Sequence, residues 1–269
     1  MSAAPLPPAR KLALIGDGRM GTRLSELAPS HGFETVLQLG EANNARGAGI
    51  TAENFAGAEV AIDFTHPATA VTHIRRTLEL GVPIVVGTTG WLTESNKAEI
   101  EALVLQFDGR LLYGSNFSLG VQLFMKLARE AGRLLGNAPG FDAALHEVHH
   151  TGKADAPSGT AITLAQQYLS GAGRSTAAHS YGTPERGLAD TAKLRVSAQR
   201  LGGIFGEHSL RINSEWDDIE LTHRARNRDG FAAGALRAAA WLADQQQPGF
   251  FLIEDVVEEI LGGSQQKIG

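Results

Sequence analysis

The sequence Lys-Leu-Ala-Leu-Ile-Gly-Asp-Gly-Arg-Met-Gly, residues 11–21, decides the fold expected of this chain. Its first five residues are an apolar run of the kind that forms a buried parallel strand. The rest follows the pattern Gly-x-Gly-x-x-Gly, whose glycines allow a tight turn, a close backbone approach to a pyrophosphate and close packing of the next helix. That helix would direct its amide hydrogens at the phosphates. The stretch therefore predicts a dinucleotide site formed by Gly16, Asp17, Gly18, Arg19, Met20 and Gly21; the alternative is an ordinary glycine-rich turn.

Alternating strands and helices continue from this loop to Tyr113. The predicted strands are 11–15, 35–39, 60–64, 83–86 and 110–113, and the predicted helices between them are 19–30, 67–80 and 93–107. This alternation implies βαβ units, right-handed crossovers and a parallel sheet. The first 116 residues are therefore predicted to form a Rossmann-type dinucleotide-binding domain.

The pattern changes after Asn116. Helices are predicted at 119–135, 160–169 and 230–243, strands of a mixed or antiparallel sheet at 141–150, 194–196, 207–213 and 219–223, and a short final helix at 253–261. We interpret residues 117–229 as an inserted α+β substrate-binding domain, after which residues 230–269 return to the first domain. The predicted fold class is α/β, a Rossmann-type parallel-sheet domain with an inserted α+β domain.

Composition restricts the partners and the compartment. With 24 Lys and Arg against 29 Asp and Glu, the net charge of −5 disfavours general nucleic-acid binding, because phosphate neutralisation needs a basic face. Cysteine is absent, which removes disulfides and thiolate sites and fits a reducing compartment. The N-terminal region has no apolar run long enough for a signal sequence or a membrane span. We therefore expect a cytoplasmic protein with neither a nucleic-acid partner nor a membrane partner.

Further cofactor contacts are expected in loops that follow the strands. An acidic residue about 20 positions beyond the glycine loop usually holds the ribose. Glu41 is the nearest here, although it could equally be loop surface, and Arg46 could instead meet a 2′-phosphate, so both NADH and NADPH stay open. Two other loops lie at the carboxyl edge of the sheet, where ligands of open α/β sheets bind; the alternative for both is a tight turn. Their candidate residues are Gly87, Thr88, Thr89, Gly114, Ser115, Asn116 and Phe117.

A second group of reactive side chains lies at residues 146–160, His-Glu-Val-His-His-Thr-Gly-Lys-Ala-Asp-Ala-Pro-Ser-Gly-Thr. Histidine and lysine can both be tuned to exchange protons near neutral pH, which makes His149, His150 and Lys153 candidates for proton transfer. In a strand, His149 and His150 face opposite sides, so one can face a ligand while the other supports it.

The end of this segment favours an anion. Ser158, Gly159 and Thr160 open a predicted helix, and the amides and hydroxyls at such a position suit a carboxylate. The segment therefore predicts a site that binds a small dianion and supplies it with a proton. Together with the dinucleotide loop, it indicates hydride transfer from a nicotinamide to a carboxylated substrate.

The same segment has two other interpretations. His146 and His150 with Glu147 resemble the His-Glu-x-x-His motif of zinc proteases. That motif requires a helix, whereas residues 142–148 are predicted as a strand, so we predict no metal site. The histidines could also merely cap a loop.

Residues 147–161 closely resemble the signature Glu-x-His-His-x-x-Lys-x-Asp-Ala-Pro-Ser-Gly-Thr-Ala of the 4-hydroxy-tetrahydrodipicolinate reductases, lysine-pathway enzymes also called dihydrodipicolinate reductases. They match it at every fixed position, and the resemblance covers nearly the whole chain. It includes Gly-Arg-Met-Gly at 18–21, Asp-Phe-Thr at 63–65, Gly-Thr-Thr-Gly at 87–90, Asn-Phe-Ser at 116–118, Gly-Glu-His at 206–208 and His-Arg-Ala at 223–225.

The resemblance implies a reaction, an assembly and a set of roles. It implies NAD(P)H-dependent reduction of 4-hydroxy-tetrahydrodipicolinate to tetrahydrodipicolinate with loss of water, in a homotetramer built by the sheet of the inserted domain. It further implies that His149 is the catalytic proton donor and acceptor and that Lys153 is the second proton donor. His150 would bind the substrate together with Gly159 and Thr160. The same resemblance implies cofactor contacts at 16–21, 87–89 and 114–117.

Two departures from the family pattern concern the cofactor. The phosphate loop has the shorter of the two family forms, and the acidic-basic pair usual after the second strand has no clear counterpart, so the cofactor preference stays open. The alternatives to the reductase are another two-domain NAD(P)-dependent dehydrogenase, which would not need the His-His-x-x-Lys segment, and a non-catalytic nucleotide sensor.

Overall fold

The computed structural model describes residues 8–177, 179–181 and 193–262 of the chain. The chain divides into two compact units. The first unit comprises Met1–Leu119 and Arg228–Gly269, and the second unit comprises Gly120–Asn227. The chain therefore leaves the first unit once and then returns to it.

Strands and helices alternate regularly only in the first half of the chain. Within the described residues, the order is β1 (Arg10–Ile15), α1 (Arg19–Leu27), β2 (Phe33–Leu39), β3 (Val60–Asp63), α2 (Pro67–Glu79), β4 (Ile84–Val86), α3 (Glu94–Gln106), β5 (Arg110–Tyr113), α4 (Leu119–Leu135), β6 (Asp142–His149), α5 (Gly159–Gly171), β7 (His179–Tyr181), β8 (Leu194–Arg200), β9 (Glu207–Asn213), β10 (Asp218–Arg224), α6 (Asp229–Asp244), β11 (Gly249–Leu252) and α7 (Ile253–Gly262). Short 3-10 helices occupy Ala28–His31 and Ala45–Gly47.

The sheet of the first unit is parallel throughout, in the order β11-β5-β4-β3-β1-β2. Its strands are apolar on both faces because both faces are covered. In β1, Leu12 and Leu14 belong to one core with α1 and α6, whereas Ala13 and Ile15 belong to the other core with α2 and α3. This alternation follows from the two-residue period of a strand and explains the continuous apolar run in the sequence. The predicted Rossmann-type fold is confirmed.

The second unit contains a mixed sheet in the order β10-β9-β6-β8-β7. The central strand β6 is parallel to β8 and antiparallel to β9. Leu145, Val196 and Leu210 from the three central strands share a core with Leu164 and Leu169 of α5. One face of the sheet is therefore buried by helices, as the predicted α+β domain requires.

Two strands differ from the sequence prediction. β11 adds a sixth strand beside β5, where we predicted only a tail leading to the final helix. Its four residues are too short for a periodic signal, and their position is set by pairing with residues about 140 positions away. β7 was likewise not predicted. The helix predicted to reach Ser30 ends at Leu27, because Pro29 lies in the following 3-10 helix.

None of the helices in the described ranges is long and apolar enough to cross a membrane.

Candidate functional site

The glycine loop between β1 and α1 has the shape that a phosphate needs. Gly16 has a φ of 120°, and a Cβ there would overlap the Phe64 carbonyl, while a Cβ at Gly21 would overlap the Gly16 carbonyl. Gly18 is the N-cap of α1, and a Cβ there would meet no atom within 4 Å. Packing therefore requires two of the glycines, and the third leaves open space where helix amides favour an anion. The first turn of α1 carries no acidic residue that would repel one.

A cavity of about 590 Å³ adjoins this loop within the first unit. Its walls are the glycine loop and the residues that follow β2 and β3. Glu41 and Arg46 are both exposed and both line it, so the two candidates for the ribose end of a dinucleotide share one cavity. Arg46 has a φ of 52°, a left-handed conformation that few side-chain-bearing residues adopt. The cavity therefore continues from the glycine loop to both of the residues predicted to meet the ribose.

Asp63, the last residue of β3, is fully buried and joins the loops around this cavity. Its carboxylate accepts hydrogen bonds from the Thr65 amide at 3.0 Å, the Thr65 hydroxyl at 2.8 Å, the Thr88 hydroxyl at 2.7 Å and His73 Nδ1 at 2.7 Å. His73 Nε2 lies 3.3 Å from the side-chain nitrogen of buried Asn44. We call these five residues the Asp63 network. Three of them, Asn44, Thr65 and His73, line the cavity, so the network shapes its wall.

The two other predicted cofactor loops pack against aromatic rings of the first unit. A Cβ at Gly87 would overlap the Phe64 ring, and a Cβ at Gly114 would lie 2.9 Å from the Phe117 ring. The two rings meet edge to face with their centroids 5.9 Å apart. Phe117 is 2% exposed, so its ring is used for packing within the first unit.

The predicted cofactor residues differ in accessibility. The exposed ones are Asp17, Gly18, Arg19, Glu41, Thr89 and Ser115, and the partly buried ones are Met20 and Gly87. The buried ones are Gly16, Gly21, Thr88, Gly114, Asn116 and Phe117.

In the second unit, Glu147 and His149 lie on one face of β6. They are two residues apart, so they continue the face that carries Leu145 toward the helices. Glu147 is fully buried and His149 is 7% exposed. His149 Nδ1 lies 3.2 Å from Glu147 Oε2, within ion-pair distance but poorly aligned for a hydrogen bond. His150 lies just beyond the strand and is partly buried.

Four further groups surround the Glu147 carboxylate. His208, directly opposite Glu147 on β9, places Nε2 at 3.4 Å from Oε2, and Arg200 donates to Oε1 at 3.1 Å. The Ser158 amide donates to Oε1 at 2.8 Å, and the Ser158 hydroxyl donates to Oε2. We call Glu147, His149, Ser158, Arg200 and His208 the Glu147 cluster. It joins three strands to the start of α5.

The loop that carries Lys153 is held by the same arginine. Arg200 donates to the backbone carbonyls of Lys153, at 3.2 Å, and of Asp155. The Lys153 ammonium is 2.7 Å from the Asp155 carboxylate. Burial alone would raise the pKa of Asp155, but Lys153 and the Gly159 amide hold that pKa below its ordinary value. Lys153 and the start of α5 therefore already accommodate a carboxylate.

Ser158 is used as the cap of α5. Its hydroxyl accepts from the Ala161 amide at 3.1 Å, as predicted for a helix cap, and the residue is 2% exposed. Gly159 is exposed and Thr160 is partly buried. Of the three residues predicted to meet a substrate at this helix start, Ser158 has its hydroxyl engaged with Glu147.

The charge state of the Glu147 cluster follows from its contacts. Burial alone would raise the pKa of Glu147, but His149, His208 and Ser158 together lower it well below its ordinary value, so the carboxylate stays ionised. Burial lowers the pKa of His208, which Glu147 only partly offsets, and burial also lowers the pKa of His223 beside it on β10. The cluster therefore combines a fixed negative charge with a histidine that resists protonation.

Glu147, His149 and His208 have the mutual spacing of a metal site, since one ligand atom from each lies within 4.8 Å of the others. However, Arg200 and both donors of Ser158 already occupy the carboxylate oxygens. A divalent cation there would also lie beside a guanidinium. We interpret the cluster as a hydrogen-bonded carboxylate. The zinc-protease reading of residues 146–150 fails for a different reason, because they lie on a strand and its end instead of a helix.

Sequence reasoning missed several residues that the structure brings to these sites. Glu147 was noted only as part of a signature and as a rejected zinc-protease base, and His208 only as part of Gly-Glu-His. Arg200 gave no sequence signal, because its position depends on the register in which β8 pairs with β6, where Arg200 lies opposite His149. The Asp63 network had only the Asp-Phe-Thr motif as its signal.

Two family models match this chain. The one described as "Dihydrodipicolinate reductase, N-terminus" matches residues 10–117, and the one described as "Dihydrodipicolinate reductase, C-terminus" matches residues 120–257. Together they cover nearly all of both units.

Curated relatives agree with these models. A 4-hydroxy-tetrahydrodipicolinate reductase of Christiangramia forsetii is 34% identical over 249 residues, covering 93% of this chain and 98% of the relative. One of Myxococcus xanthus is 36% identical over 261 residues, covering 89% of this chain and 94% of the relative.

Solved structures share the fold. A dipicolinate-bound dihydrodipicolinate reductase from Paenisporosarcina sp. TG-14 superposes with a TM-score of 0.72 at 22% identity, covering 92% of this chain and 99% of that one. An amine dehydrogenase from Mycobacterium smegmatis superposes with a TM-score of 0.59 at 13% identity, covering 91% of this chain and 95% of that one. Because dehydrogenases of different substrates share this fold, the fold alone does not choose among them.

Proposed function

This chain belongs to the dihydrodipicolinate reductase family, and we infer from this that it catalyses the NAD(P)H-dependent reduction of 4-hydroxy-tetrahydrodipicolinate to tetrahydrodipicolinate in the diaminopimelate and lysine pathway. The reaction consumes one hydride and one proton and releases water. The observation that carries the inference is the match of both family models across the two units, with the His-His-x-x-Lys segment intact within the second match. A different two-domain dehydrogenase would share the fold without needing this segment.

The first unit is proposed to bind the cofactor. The glycines that packing requires, the open space at the start of α1 and the adjoining cavity together fit a dinucleotide. When bound, NADH or NADPH supplies the hydride. The pyrophosphate would lie against the loop of Gly16 to Gly21, and Glu41 and Arg46 would compete to define the ribose end. A carboxylate there favours the free hydroxyls of NADH, and a guanidinium favours the 2′-phosphate of NADPH.

The second unit is proposed to bind the dicarboxylate substrate. His150, Gly159 and Thr160 would contact it, and Ser158, whose hydroxyl and amide both donate to Glu147, would hold the start of α5 in place for it. The support for a carboxylate site is Asp155, whose own carboxylate lies between the Lys153 ammonium and the Gly159 amide. A substrate carboxylate offers the same chemistry to the same two groups, with the added favour of the helix dipole.

The proton is proposed to come from His149 and Lys153. His149 would exchange a proton with the substrate ring, and Lys153 would act as the second donor. Both are cationic when protonated, so they would stabilise a dianion as negative charge develops on it during hydride transfer. Arg200 holds the backbone on which Lys153 lies, which orients the loop without using a substrate contact.

We further propose that the protein is a homotetramer built through the second unit and that it acts in the cytoplasm. The strands of the second unit have helices on one face, and Ser197, Arg211 and Glu220 lie exposed on β8, β9 and β10. Size-exclusion chromatography with light scattering would test this, and a monomer at working concentration would contradict it.

The function is tested by following NADPH and NADH oxidation while a synthase generates 4-hydroxy-tetrahydrodipicolinate from pyruvate and aspartate semialdehyde. Oxidation that depends on the synthase is the expected result, and the ratio of the two rates gives the cofactor preference. A protein that binds either cofactor yet oxidises neither would overturn the assignment and favour a nucleotide sensor.

A further inference from the structure

Among the described residues of the second unit, the proposed reaction leaves the most buried charged side chain, Glu147, without a role. Glu147 is fully buried, in a position where an unpaired carboxylate would be strongly unfavourable. Proton transfer by His149 and Lys153 does not use it, and neither does binding of the substrate at the start of α5. Yet Glu147 contacts, directly or through one residue, the strand end with His149, the lysine loop and the start of α5, which are the elements of the second unit that the proposed reaction needs.

The two nitrogens of His149 have different surroundings. Nδ1 lies 3.2 Å from Glu147 Oε2. Nε2 faces Gly206, and a Cβ added to that glycine would lie 3.0 Å from Nε2. The contact with Glu147 is poorly aligned for a hydrogen bond, but the carboxylate only accepts and its negative charge lies beside Nδ1, which favours the neutral imidazole with its proton on Nδ1. Nε2 is then the atom left to take and return a proton, and a carboxylate behind Nδ1 stabilises the ring when both nitrogens are protonated.

We propose that Glu147 is the positioning residue of His149: it fixes the imidazole in the Nδ1-protonated tautomer and leaves Nε2 to exchange a proton with the substrate. This inference rests on the proposed function, in which His149 is the proton donor. In this role Glu147 does not contact the substrate. It acts only through His149 and through its contacts with β8, β9 and the start of α5.

The other groups around the Glu147 carboxylate leave His149 as the imidazole on which its charge acts most. His208 approaches the same oxygen at 3.4 Å and meets the His149 ring edge to face, with centroids 5.1 Å apart. Burial keeps His208 neutral by lowering its pKa, so it does not compete for the proton. Arg200 and the Ser158 amide bind Oε1 instead, which leaves Oε2 to the Ser158 hydroxyl and the two histidines. Among the described residues, the charged and titratable groups in contact with His149 are Glu147 and His208; Arg200 lies behind the carboxylate, and Lys153 is near enough to act on His208.

The same contacts position the substrate site relative to the proton donor. Ser158 begins α5, and Arg200 holds the backbone of Lys153. Both donate to Glu147 Oε1. A small rotation of the carboxylate would thus displace the imidazole, the lysine loop and the helix start together. Such shared positioning matters because misplacement of reacting groups by about 1 Å can cost about 100-fold in rate.

The test compares Glu147→Gln with Glu147→Asp, with Glu130→Gln on the exposed face of α4 as the matched control. Gln keeps the shape but offers an amide hydrogen where Oε2 accepts, which favours the opposite tautomer of His149. We expect kcat to fall by about 100-fold or more, since general acid–base catalysis contributes at least that much. The affinity for NADPH, which concerns the first unit, and the KM for it should change little. Asp retains the charge with a shorter reach and should recover part of the lost kcat, and the control should match the wild type.

Two readouts separate positioning from a merely structural role. The profile of kcat against pH should shift to lower pH in Glu147→Gln, because the charge that stabilises the protonated ring is gone. In the wild-type enzyme, nitrogen NMR of labelled histidine should find the neutral His149 ring protonated on Nδ1, a measurement that needs no variant to fold. A ring protonated on Nε2, or a folded Glu147→Gln with wild-type kcat and pH profile, would overturn the inference.

Failure of this inference is distinguishable from failure of the proposed function. If His149→Gln loses turnover whereas Glu147→Gln does not, only the positioning role is wrong. If His149→Gln keeps wild-type turnover, the proposed proton donor itself is wrong, and Glu147 loses its assigned role with it.

Discussion

Asp63 in the first unit and Glu147 in the second are both fully buried carboxylates that contact a histidine, yet their surroundings differ in kind. Asp63 receives its hydrogen bonds mostly from neutral groups, the Thr65 amide and hydroxyl and the Thr88 hydroxyl, beside His73. Glu147 lies beside one guanidinium and two imidazoles. A buried carboxylate that contacts a histidine therefore has two different roles. Asp63 joins loops, whereas Glu147 holds charged groups in place.

The position of each carboxylate in its sheet explains this difference. Asp63 ends a parallel strand, at the edge where loops gather around a ligand, so a buried acceptor there can join several loop segments at once. Glu147 lies inside the central strand β6, so its partners come from the strands on either side and from the helix above. We therefore expect substitutions of Asp63 to weaken cofactor binding and substitutions near Glu147 to slow the chemical step.

The largest expected effect tests the second half of that comparison. His149→Ala and Lys153→Ala should each lower kcat by about 100-fold to 10,000-fold, the range that general acid–base groups contribute. The NADPH dissociation constant, measured by fluorescence titration, should stay near that of the wild type because the proposed cofactor contacts lie in the first unit. His146→Ala is the matched control, since this histidine is exposed and its ring is hydrogen-bonded to Ser197 on the neighbouring strand. Loss of cofactor affinity in either catalytic variant would contradict the division of roles.

The next effect tests Asp63. Asp63→Asn presents an amide to groups that donate to a carboxylate, so we expect the dissociation constants of NADPH and NADH to rise about tenfold, equivalent to about 1.4 kcal/mol. The free energy of unfolding should fall by about 1–3 kcal/mol, as for other buried groups left without a partner. Asp244→Asn, at an exposed ion pair of the same unit, is the control. If kcat at saturating cofactor fell as much as the affinity, the two carboxylates would not differ as described.

The third prediction concerns pH. Burial lowers the pKa of His208, so the folded state favours the neutral ring, and that stabilisation is lost as the pH falls below the ordinary value of 6.5 toward the folded pKa. Glu147, whose pKa is also lowered, loses its stabilisation only in more acidic solution, below its ordinary value of 4.5. The unfolding free energy should therefore begin to decrease between neutral pH and pH about 5, by at most about 1.4 kcal/mol per pH unit for a single group.

Hydrogen exchange locates this effect in the second unit. Amides of β9 should lose protection over that pH interval, and His208→Gln should reduce the dependence, with His223, whose pKa burial also lowers, contributing the remainder. A wild-type profile identical to that of His208→Gln would show that this histidine does not titrate with folding.

The smallest effect concerns the cofactor preference. Arg46→Ala should weaken NADPH binding by a few-fold, about 0.5–1 kcal/mol for an exposed charge, and leave NADH binding nearly unchanged. Arg75→Ala, an exposed arginine of α2 paired with Glu99, is the control. Equal losses for both cofactors would place Arg46 away from the 2′-phosphate.

Much of the fold was predictable from local patterns. The apolar run before Gly16 and the alternation of strands and helices predicted the parallel sheet, and the strands β5 and β9 and the helix α4 were placed at their observed bounds. β11 was missed because a four-residue strand has no periodicity of its own. His149 and Lys153 were recognisable as candidates because they lie close in sequence to a helix start that favours an anion. Their contacts with His208 and Arg200 were not predictable, because those residues lie on other strands.

What the sequence determined by itself is the chemistry available to this protein: a glycine loop for a pyrophosphate, and imidazole, ammonium and helix amides for a dianion. These groups are close in sequence, so the geometry of one loop, strand end or helix start is enough to bring them together. Only the tertiary structure decided which groups restrain them. Arg200 and His208 reach Glu147 through strand register, and Asn44 reaches Asp63 through His73, across about 20 to 60 positions of the chain. Such contacts are selected by the packing of the whole sheet and leave no pattern that a single segment could reveal.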